Sequence, residues 1–193
     1  MSLIQPALDT PRLKLLPAHP DLTAAALDYH SRNRAHLEPW GPTPGPQYYS
    51  EDYWRTQMRQ GARSWTEGHS ARFLLATREQ PDRVIGTVGF SNIVRGVFQA
   101  CHLGYGVDQA CEGQGLMREA LQAAIRFAFD DLKLHRIQAN YQPANARSAA
   151  LLQRLGFTVE GQAKDYLFLN GAWRDHVLTS LLNPNFDSRV LLG

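Results

Sequence analysis

Arg12–Pro17 alternates apolar and polar positions briefly, as an edge strand does, and Asp21–Arg34 continues with helical spacing behind Pro20, with Asp21 as the expected N-cap. Ser50–Glu67 reads as a second helix, capped by Ser50, with Tyr53, Trp54, Met58 and Trp65 supplying its apolar face. From Ala71 the period shortens to that of strands. Ala71–Thr77, Val84–Ile93 and Gln99–Val107 are separated by turn signals at Gln80–Asp82 and Arg95–Gly96, which predicts three neighbouring antiparallel strands. Leu116–Leu132 then places Met117, Ala120, Leu121, Ala124, Ile125, Ala128 and Leu132 on one stripe, so one helical face must pack on a sheet. Arg136–Tyr141 is a further strand and Asn145–Leu155 a shorter helix stopped by Gly156. Two last strands fall near Thr158–Leu169 and Trp173–Leu182, and Asn183–Gly193 carries no periodic signal.

This order predicts an α/β fold: a mixed, mostly antiparallel central sheet flanked by helices, in a single domain. The 193 residues, 44% apolar and 20% charged, fit a folded chain and exclude a disordered tail or a coiled coil. No stretch approaches the ~18 apolar residues of a membrane helix, and Met1–Thr10 lacks the order of a signal peptide, so a cytoplasmic protein without a membrane role is expected. A net charge of +2 is too small for a protein that coats phosphates, and no direct nucleic-acid role is expected. Cys101 and Cys111 lack CxxC spacing, and no histidines pair at i, i+4, so neither a disulfide framework nor a metal site is expected. His19, His30, His36, His69 and His135 read as loop or surface residues.

Between these elements lie two segments with chemical content. Glu38–Tyr49 holds four prolines and two glycines, an irregular loop long enough to be a flap. Glu112-Gly113-Gln114-Gly115-Leu116-Met117 joins a strand to the best helix in the chain. Its glycines let the backbone turn tightly, while the unpaired N–H groups and dipole of the helix start face the same point, as anion binding requires. An ordinary tight loop would use the same glycines. The Rossmann and P-loop patterns both fail, because no GxGxxG follows the strand and no Lys follows the second glycine.

On this loop the chain resembles the GNAT superfamily of acetyl-CoA-dependent N-acetyltransferases, whose pyrophosphate loop reads [QR]-x-x-G-x-[GA]. The glycines match, while Ala110 stands where the family usually carries Gln or Arg. The resemblance implies that Glu112–Met117 meets the pyrophosphate of acetyl-CoA and that Leu103, Gly104 and Tyr105 offer backbone groups to the pantetheine. It also implies that Asn145 and Ser148 open the helix beside the thiol. Leu155-Gly156-Phe157 closes that helix as the family's LGF does. Within the superfamily the chain is most similar to the ribosomal-protein-alanine N-acetyltransferases. The supporting strings are Leu37-Glu38-Pro39-Trp40, Gly115-Leu116-Met117, His135-Arg136-Ile137, Ala139-Asn140-Tyr141, Lys164-Asp165-Tyr166 and Trp173-Arg174-Asp175-His176-Val177-Leu178.

What this implies is transfer of acetyl from acetyl-CoA to the N-terminal alanine amine of a ribosomal protein, with residues 1–182 as the catalytic domain and 183–193 as a flexible tail. An α-amine has a pKa of ~7.7–8.0 and must lose a proton before attack. His102, where relatives commonly carry Glu, is the expected base, its alternative being a hydrogen bond within the sheet. Ser148 is the expected donor to the departing thiolate, its alternative a hydrogen bond at the helix start, and Asn145 reads as a helix cap as well as a residue near the cofactor. Leu152 occupies the position where other branches place a Tyr acid. Trp40, Tyr141, Asp165 and Tyr166 could shape a peptide cleft or belong to the core. Two other functions stay open: acetylation of a small amine such as an aminoglycoside or polyamine, and a non-catalytic module that binds acyl-CoA or docks on the ribosome.

Overall fold

The computed structural model describes residues 4–192. Eight strands form one sheet: β1 (Leu8–Asp9), β2 (Leu13–Pro17), β3 (Ala71–Thr77), β4 (Val84–Val94), β5 (Ala100–Val107), β6 (Arg136–Gln138), β7 (Thr158–Leu169) and β8 (Ala172–Leu182). Their spatial order is β1-β2-β3-β4-β5-β6-β8-β7. All neighbours run antiparallel except β5 and β6. The helices are α1 (Thr23–Arg32), α2 (Arg34–Leu37), α3 (Glu51–Thr66), α4 (Leu116–Arg126) and α5 (Ala146–Arg154). A parallel pair needs a crossover, and α4 supplies it between β5 and β6.

Alternation in the strands divides the core into two layers. On one face Phe73, Leu75, Val88, Phe90, Cys101 and Leu103 pack against the α4 stripe of Leu116, Met117, Ala120, Leu121 and Ala124. On the other, Leu74 and Val84 meet Tyr29 of α1 with Trp54 and Met58 of α3. Two caps fall where their residue types suggest: Ser50 Oγ accepts from the Tyr53 N–H at 3.3 Å, and Asn145 Oδ1 accepts from the Ser148 N–H at 3.0 Å.

Four features differ from the sequence reading. Pro20 starts a 3₁₀ turn over Pro20–Leu22, so α1 begins at Thr23, and Asp21 does not cap it; the Asp21 N–H instead donates to His19 Nδ1. The long helix is α-helical only to Arg126 and widens into a π turn at Phe127–Asp131, which keeps Phe127, Ala128 and Leu132 buried. The segment 136–141 pairs with β5 only through Gln138, then stays with β8 through the Ala139 and Tyr141 N–H groups. Finally, 183–193 is not structureless among its described residues. Asn183 bonds the Leu134 and His135 carbonyls, Phe186 packs on the His135 ring, and Ser188–Leu191 forms a 3₁₀ turn. No helix among the described residues is long and apolar enough to cross a membrane.

Candidate active site

The glycine loop follows β5 through a short 3₁₀ turn, Gln109–Cys111, that buried Asp108 anchors. Its Oδ1 accepts from the Ala110 N–H at 3.0 Å and its Oδ2 from Arg32 Nε at 2.8 Å. Burial pushes the Asp108 carboxyl up, but the Ala110 N–H and the Arg32 guanidinium together hold it below the ordinary carboxylate value. Gly113 and Gly115 then take φ of +73° and +75°, left-handed conformations that strain any residue with a Cβ. Gly115 is the N-cap of α4 and offers no side-chain cap, so the N–H groups of Leu116, Met117 and Arg118 lack intrahelical partners.

The loop's other groups are tied back. Arg12 Nη1 donates to the Gln114 carbonyl at 3.0 Å and Arg12 Nε to Glu119 Oε2 at 2.7 Å. Gln114 Nε2 reaches the Ala110 carbonyl, and Glu112 pairs with Arg147 of α5. A Cβ at Gly113 would touch nothing within 4 Å, and one at Gly115 only Arg12, at 3.6 Å. Arg12, Arg118 and Arg126 line a cavity of about 500 Å³ beside Gly115. Glu119, paired with Arg12, lines the same cavity, so Arg118 and Arg126 supply its positive charge; the free N–H groups of the turn share this open space, which suits a phosphate or pyrophosphate.

Next to it the sheet opens. β5 and β6 share only the pairs Ala100↔Arg136, Cys101↔Ile137 and His102↔Gln138, so Leu103–Val107 has no strand partner on that side. An extended molecule carrying amides could pair with this bare edge. At the opening, the Tyr105 hydroxyl and Ser148 Oγ lie 2.6 Å apart. Burial pushes the Tyr105 phenol to about 12, and the bond to Ser148 works against that rise.

The expected residues separate by strand parity. Leu103 and Tyr105 face the α4 layer, and the Leu103, Leu116 and Met117 side chains are buried there, which leaves only their backbones for a ligand. His102, Gly104 and Gly106 face the α1–α3 side, so His102 and Ser148 are not neighbours on one wall. His102 Nδ1 is buried without a partner, and burial lowers its pKa. On the same face a Cβ at Gly89 or Gly104 would meet nothing within 4 Å, so a bare glycine floor lies beside the imidazole.

This floor continues into a cavity of about 400 Å³ between β4–β5 and the flap. Its walls include Tyr29, Trp40, Tyr48, Tyr49, Thr87 and Gly106. The flap is fastened down: Asn170, at the β7–β8 turn, donates to the Glu38 carbonyl at 2.8 Å, and Gln142 donates to the Pro39 carbonyl. Of the residues proposed from sequence to shape a cleft, Trp40 lines it; Tyr141 bridges to Val177, Tyr166 bonds Asn140, and the Asp165 N–H bonds Asp175. His30, expected at the surface, instead stacks on Trp54 with centroids 4.0 Å apart and shares a 2.9 Å hydrogen bond with Tyr48. Burial, aided by Arg72, lowers its pKa to about 3. Tyr29 went unremarked in the sequence because it sits in the core stripe of α1, and nothing in one chain separates a wall tyrosine from a core one. Among the described residues no group of three His, Cys, Asp or Glu could hold a metal.

Comparison with known proteins identifies the family. Residues 12–158 match the model of the acetyltransferase (GNAT) domain. The chain is 42% identical over 179 residues to the [ribosomal protein uS5]-alanine N-acetyltransferase of Escherichia coli strain K12, covering 93% of this chain and 92% of that one. The crystal structure of a ribosomal-protein-S5-alanine acetyltransferase from Vibrio fischeri superposes with a TM-score of 0.90 at 34% identity, covering 95% of this chain and 100% of that one. Mycobacterium smegmatis RimJ in complex with CoA-disulfide superposes with a TM-score of 0.85 at 27% identity, over 97% of this chain and 92% of that one. A glycine turn with free N–H groups, a sheet split beside it and a family model spanning most of the chain lead to one conclusion: the protein belongs to the GNAT acetyltransferases.

Proposed function

We propose that the protein transfers the acetyl group of acetyl-CoA to the α-amine of a protein chain beginning with alanine, a ribosomal protein being the acceptor that its relatives' names suggest. The observation that carries this reading is the bare edge of β5, which runs from the glycine loop past the Tyr105–Ser148 pair to Leu103, beside the flap-roofed cleft. The residues present fit acetyl-CoA. The N–H groups at Gly113–Met117 would hold its pyrophosphate, the backbone of Leu103, Gly104 and Tyr105 its pantetheine, and Asn145 would fix the start of α5 beside the thiol. Acetyl-CoA supplies an activated thioester, and the protein supplies proximity and proton transfers.

The acceptor enters from the flap side, over the glycine floor and past His102. A neutral imidazole there takes the amine proton, directly or through a water, as the nitrogen bonds to the acetyl carbon. The C–S bond breaks, and the Ser148 hydroxyl gives its proton to the departing sulfur while the Tyr105 hydroxyl passes its own to Ser148; solvent then restores the Tyr105 proton and takes the one held by His102. No covalent enzyme intermediate is needed. The cleft favours a peptide over a polycation. Among the described residues that line it the one carboxylate is Glu38, already bonded to Arg34 at 2.7 Å, whereas an aminoglycoside or polyamine needs several acidic partners.

The test is radiolabelled acetyl transfer to peptides with free N-terminal Ala, Ser or Met, to an N-blocked peptide containing lysine, and to a polyamine and an aminoglycoside. Fastest turnover of the Ala peptide is expected. Equal rates on the N-blocked peptide would show a side-chain acetyltransferase, and preference for the polyamine a small-amine enzyme.

A further inference from the structure

The Tyr29 side chain is wholly buried, yet its hydroxyl has no hydrogen bond of normal geometry; Thr87 lies close enough only to moderate its acidity. A buried hydroxyl without a partner costs stability, and native proteins keep few of them. This one borders the cleft between the flap and the sheet. It also stands directly over β5, since a Cβ at Gly106 would meet the Tyr29 oxygen at 3.2 Å. Gly104 lies two residues back on the same face, ~6.7 Å along the strand, with open space above it. A peptide whose amine sits in the open space over Gly104, on the side of His102, therefore has its first peptide carbonyl ~3.5 Å further along β5, within hydrogen-bond reach of the phenol over Gly106.

We infer that the Tyr29 hydroxyl is an acceptor-binding group, which donates a hydrogen bond to the first peptide carbonyl of the incoming chain. The assignment rests on the peptide-acceptor reading above and sharpens it. An α-amine in a peptide carries a carbonyl two bonds away, and a polyamine carries none, so this one donor selects peptides over small amines. It also accounts for the lack of a partner within the protein, because the complex supplies one.

Tyr29→Phe in the full-length protein tests this with two opposing readouts. Loss of an unsatisfied hydroxyl leaves the melting temperature unchanged or raised, while KM for an Ala peptide rises about tenfold, the usual worth of one neutral hydrogen bond. kcat and the acetyl-CoA dissociation constant stay within about twofold. A second probe replaces the first peptide oxygen by sulfur, a weak acceptor. The wild type loses about tenfold in kcat/KM on this thioamide, and Tyr29→Phe loses no more than it has already lost. An unchanged KM in Tyr29→Phe, or an equal thioamide penalty in both proteins, overturns the assignment and leaves the peptide reading standing. A wild type that acetylates no peptide overturns both.

Discussion

The Tyr105 hydroxyl and Ser148 Oγ meet at 2.6 Å from opposite sides of the opening in the sheet, one carried by β5 and the other by the first turn of α5. Asn145 sets the position of Ser148 by capping that turn through the serine's own N–H. A hydroxyl placed this way can lose its proton to a leaving group while a second hydroxyl steadies it. Ser148→Ala and Tyr105→Phe should therefore each lower kcat by at least tenfold and leave the acetyl-CoA dissociation constant within about twofold. The double variant should fall little below the worse single, as groups that act as a unit do. Multiplicative losses in steady-state kinetics would show two independent roles.

Gly115 has a φ of +75°, and its missing Cβ faces only Arg12. Gly115→Leu would force a branched side chain into a left-handed conformation that costs about 1–2 kcal/mol and place it in the space proposed for the pyrophosphate. Calorimetry should show acetyl-CoA binding weakened tenfold or more, with a modest fall in melting temperature. Normal binding would move the cradle elsewhere.

His102→Ala should keep acetyl-CoA affinity and lower kcat/KM by ~10²–10⁴, the span of a positioned base. Burial holds the His102 pKa below its ordinary 6.5, so the imidazole is already neutral at pH 7. The deficit should shrink above pH ~8, where the acceptor amine deprotonates unaided. A deficit that stays constant from about pH 6 to 9.5 would mean that the imidazole positions groups and takes no proton.

His30 gives a pH dependence of stability. Its folded pKa of about 3 lies below the ordinary 6.5, so on acidification the unfolded chain takes up a proton first. Stability is full above pH 6.5 and declines from there toward pH 3, by at most ~1.4 kcal/mol per unit. His30→Phe, which keeps the stack on Trp54, should flatten that part of the profile in urea unfolding at pH 7.5 and 5. An identical slope in wild type and variant would place the acid sensitivity elsewhere.

Much of this was legible in the chain because local patterns decide it. Ala71–Thr77 is a short apolar run that forms β3 with those bounds, buried on both faces, and the Leu116 stripe packs on the sheet as its spacing requires. The glycines at 113 and 115 announced a helix start with free N–H groups. What stayed hidden depends on residues far apart in sequence. The parting of β5 from β6 after His102 follows from β6 pairing with β8, some forty residues later. The odd spacing of His102 and Tyr105 placed them on opposite faces in principle, but only the packed helices show which face is covered by α4 and which borders the α1–α3 side and the flap. Asp21 lost its capping role to a proline that opened a tighter turn one residue earlier.

The three ladder pairs between β5 and β6 have a mechanical consequence as well. Residues 136–182 hang from the rest of the sheet along a short seam, which the Glu112–Arg147 and Tyr105–Ser148 links stitch further along. The molecule is like a book with a narrow spine, and any ligand lying along the open edge of β5 acts as binding between its two leaves. Mechanical weakness and the opening proposed for acetyl-CoA thus share one line through the sheet, and further strand pairing along it would strengthen the protein at the expense of that opening.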